Sequence, residues 1–78
     1  MKEYTKSELL AAIDEYIVGK YAERDRILLR YKLIDGLSYN QIANRLSADD
    51  NIPPEYKIET RQIQRAIQRS LKTLFRHI

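Results

Sequence analysis

Apolar positions recur at helical spacing in four stretches of the chain, set apart by two glycines and by one run containing two prolines. In the first stretch Leu9, Leu10, Ile13, Tyr16 and Ile17 share a face at about 100° per residue, while Glu8, Asp14 and Glu15 lie away from it. Thr5 to Glu8 precedes it with the T-x-x-E form of a capping box, in which hydroxyl and carboxylate satisfy amides otherwise orphaned at a helix start. The pattern predicts a helix from there to about Val18. Gly19 is its stop, because glycine enters a left-handed C-cap without steric cost.

A second helix is predicted from about Tyr21 to Asp35, and its apolar residues form two stripes: Ile27, Leu28, Tyr31 and Ile34 on one side, Leu29 and Leu33 on another. Such a helix needs partners on both sides, which makes it the central one; Gly36 ends it. Ser38 and Gln41 then form an S-x-x-Q box, with Leu37 and Ile42 placed for a hydrophobic staple. The short helix they start turns Ile42, Ala43 and Leu46 inward and Asn40, Gln41, Asn44 and Arg45 outward. From Ser47 to Glu59 periodicity disappears, and Pro53 and Pro54 remove amide donors and favour extended backbone. These thirteen residues are an acidic loop, whose Tyr56 and Ile58 are candidates for pinning it to the core. The last stretch, Thr60 to Ile78 with Thr60 as its cap, is a helix that places Ile63, Ala66, Ile67, Leu71, Leu74 and Ile78 on one side.

With only two Gly and two Pro in 78 residues, the chain is all-α: one domain, a small helical bundle of about four helices containing a helix-turn-helix with an enlarged turn. Its parts are an N-terminal helix (1–19), a central helix with the first helix of the pair (20–46), the loop (47–59) and the final helix (60–78). No cysteine is present, so neither a disulfide framework nor a thiolate metal site is available. The N-terminal residues lack the apolar segment of a signal peptide and no run is long enough to span a bilayer, which predicts a soluble, cytoplasmic protein without membrane contact.

Charge changes the picture most. Residues 60–78 hold five cations, Arg61, Arg65, Arg69, Lys72 and Arg76, and no Asp or Glu; residues 1–59 hold nine Lys or Arg against eleven Asp or Glu. The net charge of +3 therefore arises from one helix, whose cations fall together opposite its apolar face. A solvated helix face ordinarily mixes both signs. A single-sign row can serve solubility alone, but it is better explained by a polyanion partner.

A capped short helix, a connection and a longer helix with a basic, polar first half are the parts of a helix-turn-helix. The first helix of the pair would aim its N-terminal amides, near Tyr39 and Asn40, at a phosphate. The second would enter the groove with Arg61, Gln62, Arg65, Gln68 and Arg69, residue types that pair bidentately with guanine or adenine. Lys72 and Arg76 would neutralise phosphates further along. Glu23 to Leu46, ERDRILLRYKLIDGLSYNQIANRL, resembles the DNA-binding region four of bacterial sigma factors and related small phage regulators, and TRQIQRAIQRSLKTL from Thr60 resembles the recognition helix of that family. The resemblance implies that Thr60, Arg61, Gln62, Arg65 and Arg69 face DNA, and that the protein is a sequence-specific transcription regulator of a phage or mobile element. Where the family has a turn of about three or four residues, this chain has thirteen.

Double-stranded DNA is thus the predicted partner. Because a single module buries only roughly 600–1,000 Å² on DNA, a homodimer or RNA polymerase is expected as well, with the first helix as candidate dimer contact. Two other readings remain open: a DNA-recognition module of a phage packaging or replication complex, and a protein-interaction bundle whose basic helix binds an acidic partner. No nucleophile–base pair, metal cluster or phosphate-cradling glycine loop is present, so no enzyme activity, cofactor, metal or small-molecule substrate is predicted. Asp49 and Asp50 beside Asn51 lack the glycine and distal glutamate of a calcium loop. The six tyrosines are scattered along the chain, and His77 is read as a terminal surface residue.

Overall fold

The capping boxes at Thr5 and Ser38 start the helices they predict. In the computed structural model, which describes residues 3–78, the Glu8 amide donates to Thr5 Oγ1 at 3.1 Å and the Thr5 amide to Glu8 Oε1 at 3.0 Å. Helix α1 follows over Lys6–Tyr16. The Ser38 and Gln41 amides repeat the exchange with each other's side chains at 2.8 and 3.2 Å, at the head of the third helix. Two elements complete the bundle: α2, Ala22–Leu29, prolonged by a π-helical turn over Arg30–Ile34, and α4, Thr60–His77; the helix opened by Ser38 is α3, Tyr39–Ala48. Leu37 and Ile42 on either side of the Ser38 cap both join the core, as a staple requires. Among the described residues there is no strand, and the chain is an all-α bundle of four helices.

Four boundaries differ from the sequence expectation. Helix α1 ends at Tyr16 rather than Val18. Its final carbonyls are taken by Arg26 of α2, whose Nε donates to Ile17 O at 2.8 Å and Nη2 to Asp14 O at 3.0 Å; Ile17 is buried while Val18 is 72% exposed. Gly19, at φ +117°, then turns the chain. The second helix starts at Ala22 and does not run uniformly to Asp35, because its last turn widens and the Asp35 amide bonds back to Arg30 O at 3.1 Å. The wider turn is how the two-stripe pattern is met: Leu28 and Leu29 are fully buried side by side, and Tyr31, Leu33 and Ile34 are all half-buried.

The loop is shorter and better tethered than the loss of periodicity suggests. Ser47 and Ala48 belong to α3, and Pro54–Tyr56 forms a single 3-10 turn. Ile52 is buried, Tyr56 and Ile58 pack against the core, and Lys57 Nζ donates to Ser47 O at 3.4 Å near the end of α3. The Tyr56 hydroxyl donates to Glu23 Oε2 at 2.9 Å, and that hydrogen bond holds the phenol above its usual pKa. Lastly, Thr60 is not the cap of α4. Glu59 is, with its amide donating to Gln62 Oε1 at 3.0 Å, so Thr60 becomes the first helical residue and is half-buried. Glu59 has the extended backbone that a cap needs, and Gln three residues on completes a box that the search for a hydroxyl overlooks.

The fully buried side chains are Ile13 from α1, Leu28 and Leu29 from α2, Ile42 and Leu46 from α3, and Ile63, Ile67 and Leu74 from α4. The second helix with its π turn touches α1, α3 and α4, as its central place requires, and α4 in turn packs against all three other helices. Of the apolar face predicted for the first helix, Ile13 and Ile17 are buried in the chain's own core, while Leu9, Leu10 and Tyr16 are half-buried. Replacing Arg26 by Ala should destabilise the domain by about 1–3 kcal/mol, the range for losing a charged donor to partly buried carbonyls. Urea denaturation checks this, and the loss should persist at high salt because the partners are backbone carbonyls and not charges.

Candidate nucleic-acid interface

Helix α4 buries one face against three helices, and this fixes where its cations go. Projected at 100° per residue, Arg61, Arg65, Arg69, Lys72 and Arg76 fall within about 80° of arc, centred roughly 160° from the buried Ile63, Ala66, Ile67, Ser70 and Leu74. All five cations are exposed. At 1.5 Å per residue the row from Arg61 to Arg76 is about 22 Å long.

The other cations of the bundle are largely committed to the protein itself. Arg24 pairs with Asp25 at 3.0 Å and Arg30 with Asp14 at 2.9 Å. Arg26 caps α1, and Lys32 Nζ donates to Leu37 O at 3.3 Å while lying 4.6 Å from the centre of the Tyr39 ring. Among the described residues, no ion pair or side-chain hydrogen bond engages Arg61, Arg65, Arg69, Lys72 or Arg76. Unpaired and solvated cations at this density repel one another, so the row has a standing electrostatic demand for an anion.

Of the residues predicted to face DNA, the structure gathers seven on the exposed side of α4: Arg61, Gln62, Arg65, Gln68, Arg69, Lys72 and Arg76. Gln62 carries a second duty, since its carbonyl oxygen accepts the Glu59 amide; its NH₂ group stays available. Thr60 is half-buried at the start of the helix. Tyr39 and Asn40 sit apart from the row, at the head of α3. The Ser38–Gln41 box uses the amides of those two residues and leaves the amides of Tyr39 and Asn40 in the first turn. Tyr39 is half-buried under Lys32, and Asn40 is exposed.

Three residues escaped the sequence reading. Gln64 is exposed on the flank of the row, and the helical projection alone could have found it. Lys32 reaches the head of α3 by way of the π turn, which no periodicity foretells. Ser70 lies on the core side of α4 and is only 4% exposed.

The far end of α4 is fixed. His77 stacks on Tyr16 with ring centroids 4.6 Å apart, its Nδ1 lies 2.9 Å from Thr73 O, and the Tyr4 hydroxyl donates to Ile78 O at 2.7 Å. With Tyr21 beside Arg24, Tyr39 under Lys32 and Tyr56 on Glu23, five tyrosines are held by separate partners on different elements. Among the described residues, no group of three or more His, Asp or Glu is placed to hold a metal ion, and no helix is long and apolar enough to cross a membrane. Comparison with family models, with curated proteins and with solved structures finds no match to this chain.

Proposed function

We propose that the chain binds double-stranded DNA, with α3 and α4 acting as a helix-turn-helix and α4 lying in the major groove. The observation that supports this is the row of five exposed, unpaired cations on α4, in a protein whose remaining cations are mostly tied to its own carbonyls and carboxylates. Arg61, Arg65, Arg69, Lys72 and Arg76 neutralise phosphates, and Arg65, with Gln68 and the free amide of Gln62, reads base edges from the first turns. The residues GLSYNQIA around the α3 cap, with their likeness to sigma factor region four, favour a sequence-specific transcription regulator of a phage or mobile element. The small contact area of one module calls for a second copy or a polymerase partner.

A salt-titrated binding measurement on a random duplex pool tests the reading. With about five phosphates neutralised, log K should fall against log salt with a slope of about −4.5. Arg65→Ala should flatten the sequence preference selected from the pool, whereas Lys72→Ala should weaken every sequence alike and reduce the slope by about one. Identical profiles for the two variants would remove α4 from the groove. Capture of an acidic protein that duplex DNA cannot compete away would favour the interaction-bundle reading instead.

A further inference from the structure

Beside the basic row, the turn between α1 and α2 and the middle of α4 enclose a cleft of about 230 Å³. This is below the roughly 300–1,000 Å³ of pockets that take a whole small molecule; it has room for a group, not a ligand. Its lining is chemically mixed: Lys20 and Tyr21 from the turn, Asp25 from α2, and Arg69, Ser70 and Thr73 from α4. Lys20 and Arg69 bring two positive charges, and neither has an ion pair among the described residues. Asp25, the one carboxylate, is neutralised by Arg24, whose Nε and Nη2 both donate to Asp25 Oδ1, at 3.1 and 3.0 Å. The Tyr21 ring, 53% exposed, lies under Lys20 at 5.5 Å and Arg24 at 4.6 Å.

Ser70 gives the cleft a direction. It is the one polar residue among the buried positions, and its hydroxyl has no hydrogen-bond partner among the described residues. Among the described residues, no side-chain oxygen is both sealed from solvent and unpartnered. The Ser70 hydroxyl therefore keeps contact with solvent, and Ser70 lines the cleft. It stands at a phase of the helix where Ile, Ala and Leu fill the core, so it puts a hydrogen-bonding group on an otherwise apolar face.

We propose that this cleft seats a backbone phosphate of duplex DNA, held by Lys20 and Arg69 and by a hydrogen bond donated from the Ser70 hydroxyl. The proposal rests on the DNA-binding reading of α4 and extends it. A helix in the major groove has a phosphate wall on either side, and the cleft opens on the Arg69 flank of the row, where one such wall would pass. The turn between α1 and α2 becomes a second contact that fixes the depth and tilt of α4, a positioning part that compensates for the long connection between α3 and α4.

Salt-titrated binding of the full chain to a random duplex pool tests it, with Lys20→Gln, Ser70→Ala and, as a charge-matched control at the opposite end of α1, Lys6→Gln. Lys20→Gln should lower the salt slope by about one and weaken all sequences alike. Ser70→Ala, which leaves the fold intact, should weaken binding about tenfold with the slope unchanged, because a neutral donor releases no counterion. Lys6→Gln should alter neither quantity by more than about a third of the Lys20→Gln effect. If Lys20→Gln and Lys6→Gln behave alike and Ser70→Ala binds as the parent does, the cleft is not a phosphate seat, while the α4 reading stands on its own variants. If the parent chain shows no salt-dependent duplex binding, both ideas fall together.

Discussion

Replacing Arg65 and Arg69 together by Ala is expected to weaken duplex binding by about 30-fold or more while leaving the fold intact. Both guanidinium groups are exposed and unpaired, so their removal breaks no internal contact. Exposed substitutions of this kind usually change stability by no more than about 0.5 kcal/mol, and here they relieve repulsion along the row. On DNA, each arginine is expected to be worth about 1–3 kcal/mol. Two such losses correspond to roughly 30-fold to more than a thousandfold, with some coupling because the residues are one helical turn apart. Circular dichroism with a fluorescence binding titration separates the two effects. An unchanged melting curve with a loss of threefold or less would mean that the cations of α4 do not meet DNA.

The second large effect is on stability. Leu28 is fully buried in the central helix, among side chains from the rest of the bundle. Leu28→Ala should cost about 2–5 kcal/mol through lost transfer energy and the cavity left behind. At about 0.05–0.15 kcal/mol per residue, a chain of this length has only about 4–12 kcal/mol in hand. The melting temperature should then fall by at least about 10 °C. Thermal melting and urea denaturation should agree, and DNA binding should fail only when the domain unfolds. A drop of less than a few degrees would show that α2 is not the central helix. The pair of variants thus splits the molecule into one face that recognises and another that holds it together.

The long connection between α3 and α4 bears on both. Residues 49–59 form no free loop, since Ile52 is buried, Ile58 packs on the core and Tyr56 is bonded to Glu23. The connection therefore fixes α4 against α3 through the core and not through a tight turn. That is how a chain with an enlarged turn can still hold two helices in one arrangement.

What the sequence determined alone was most of what lies within one or two helical turns, the cap of α4 excepted. The Thr5 and Ser38 boxes, the Gly36 stop and the opposed apolar and basic sides of α4 depend on residues a few positions apart, and each is where the pattern places it. Tertiary structure alone decided the commitments of side chains across long separations. Arg26 reaches Ile17 and Asp14, Arg30 reaches Asp14, and Tyr56 reaches Glu23, between elements that no local periodicity relates. The same is true of the π turn that brings Lys32 to the head of α3, and of Ser70, which looks like a misplaced polar residue until the turn between α1 and α2 packs beside it. Counting charges could show that α4 is basic. Only packing could leave those charges unpaired while the arginines of α2 found partners, because pairing is a property of what lies opposite in space, and hydrogen bonds and ion pairs form within a few ångströms regardless of distance along the chain.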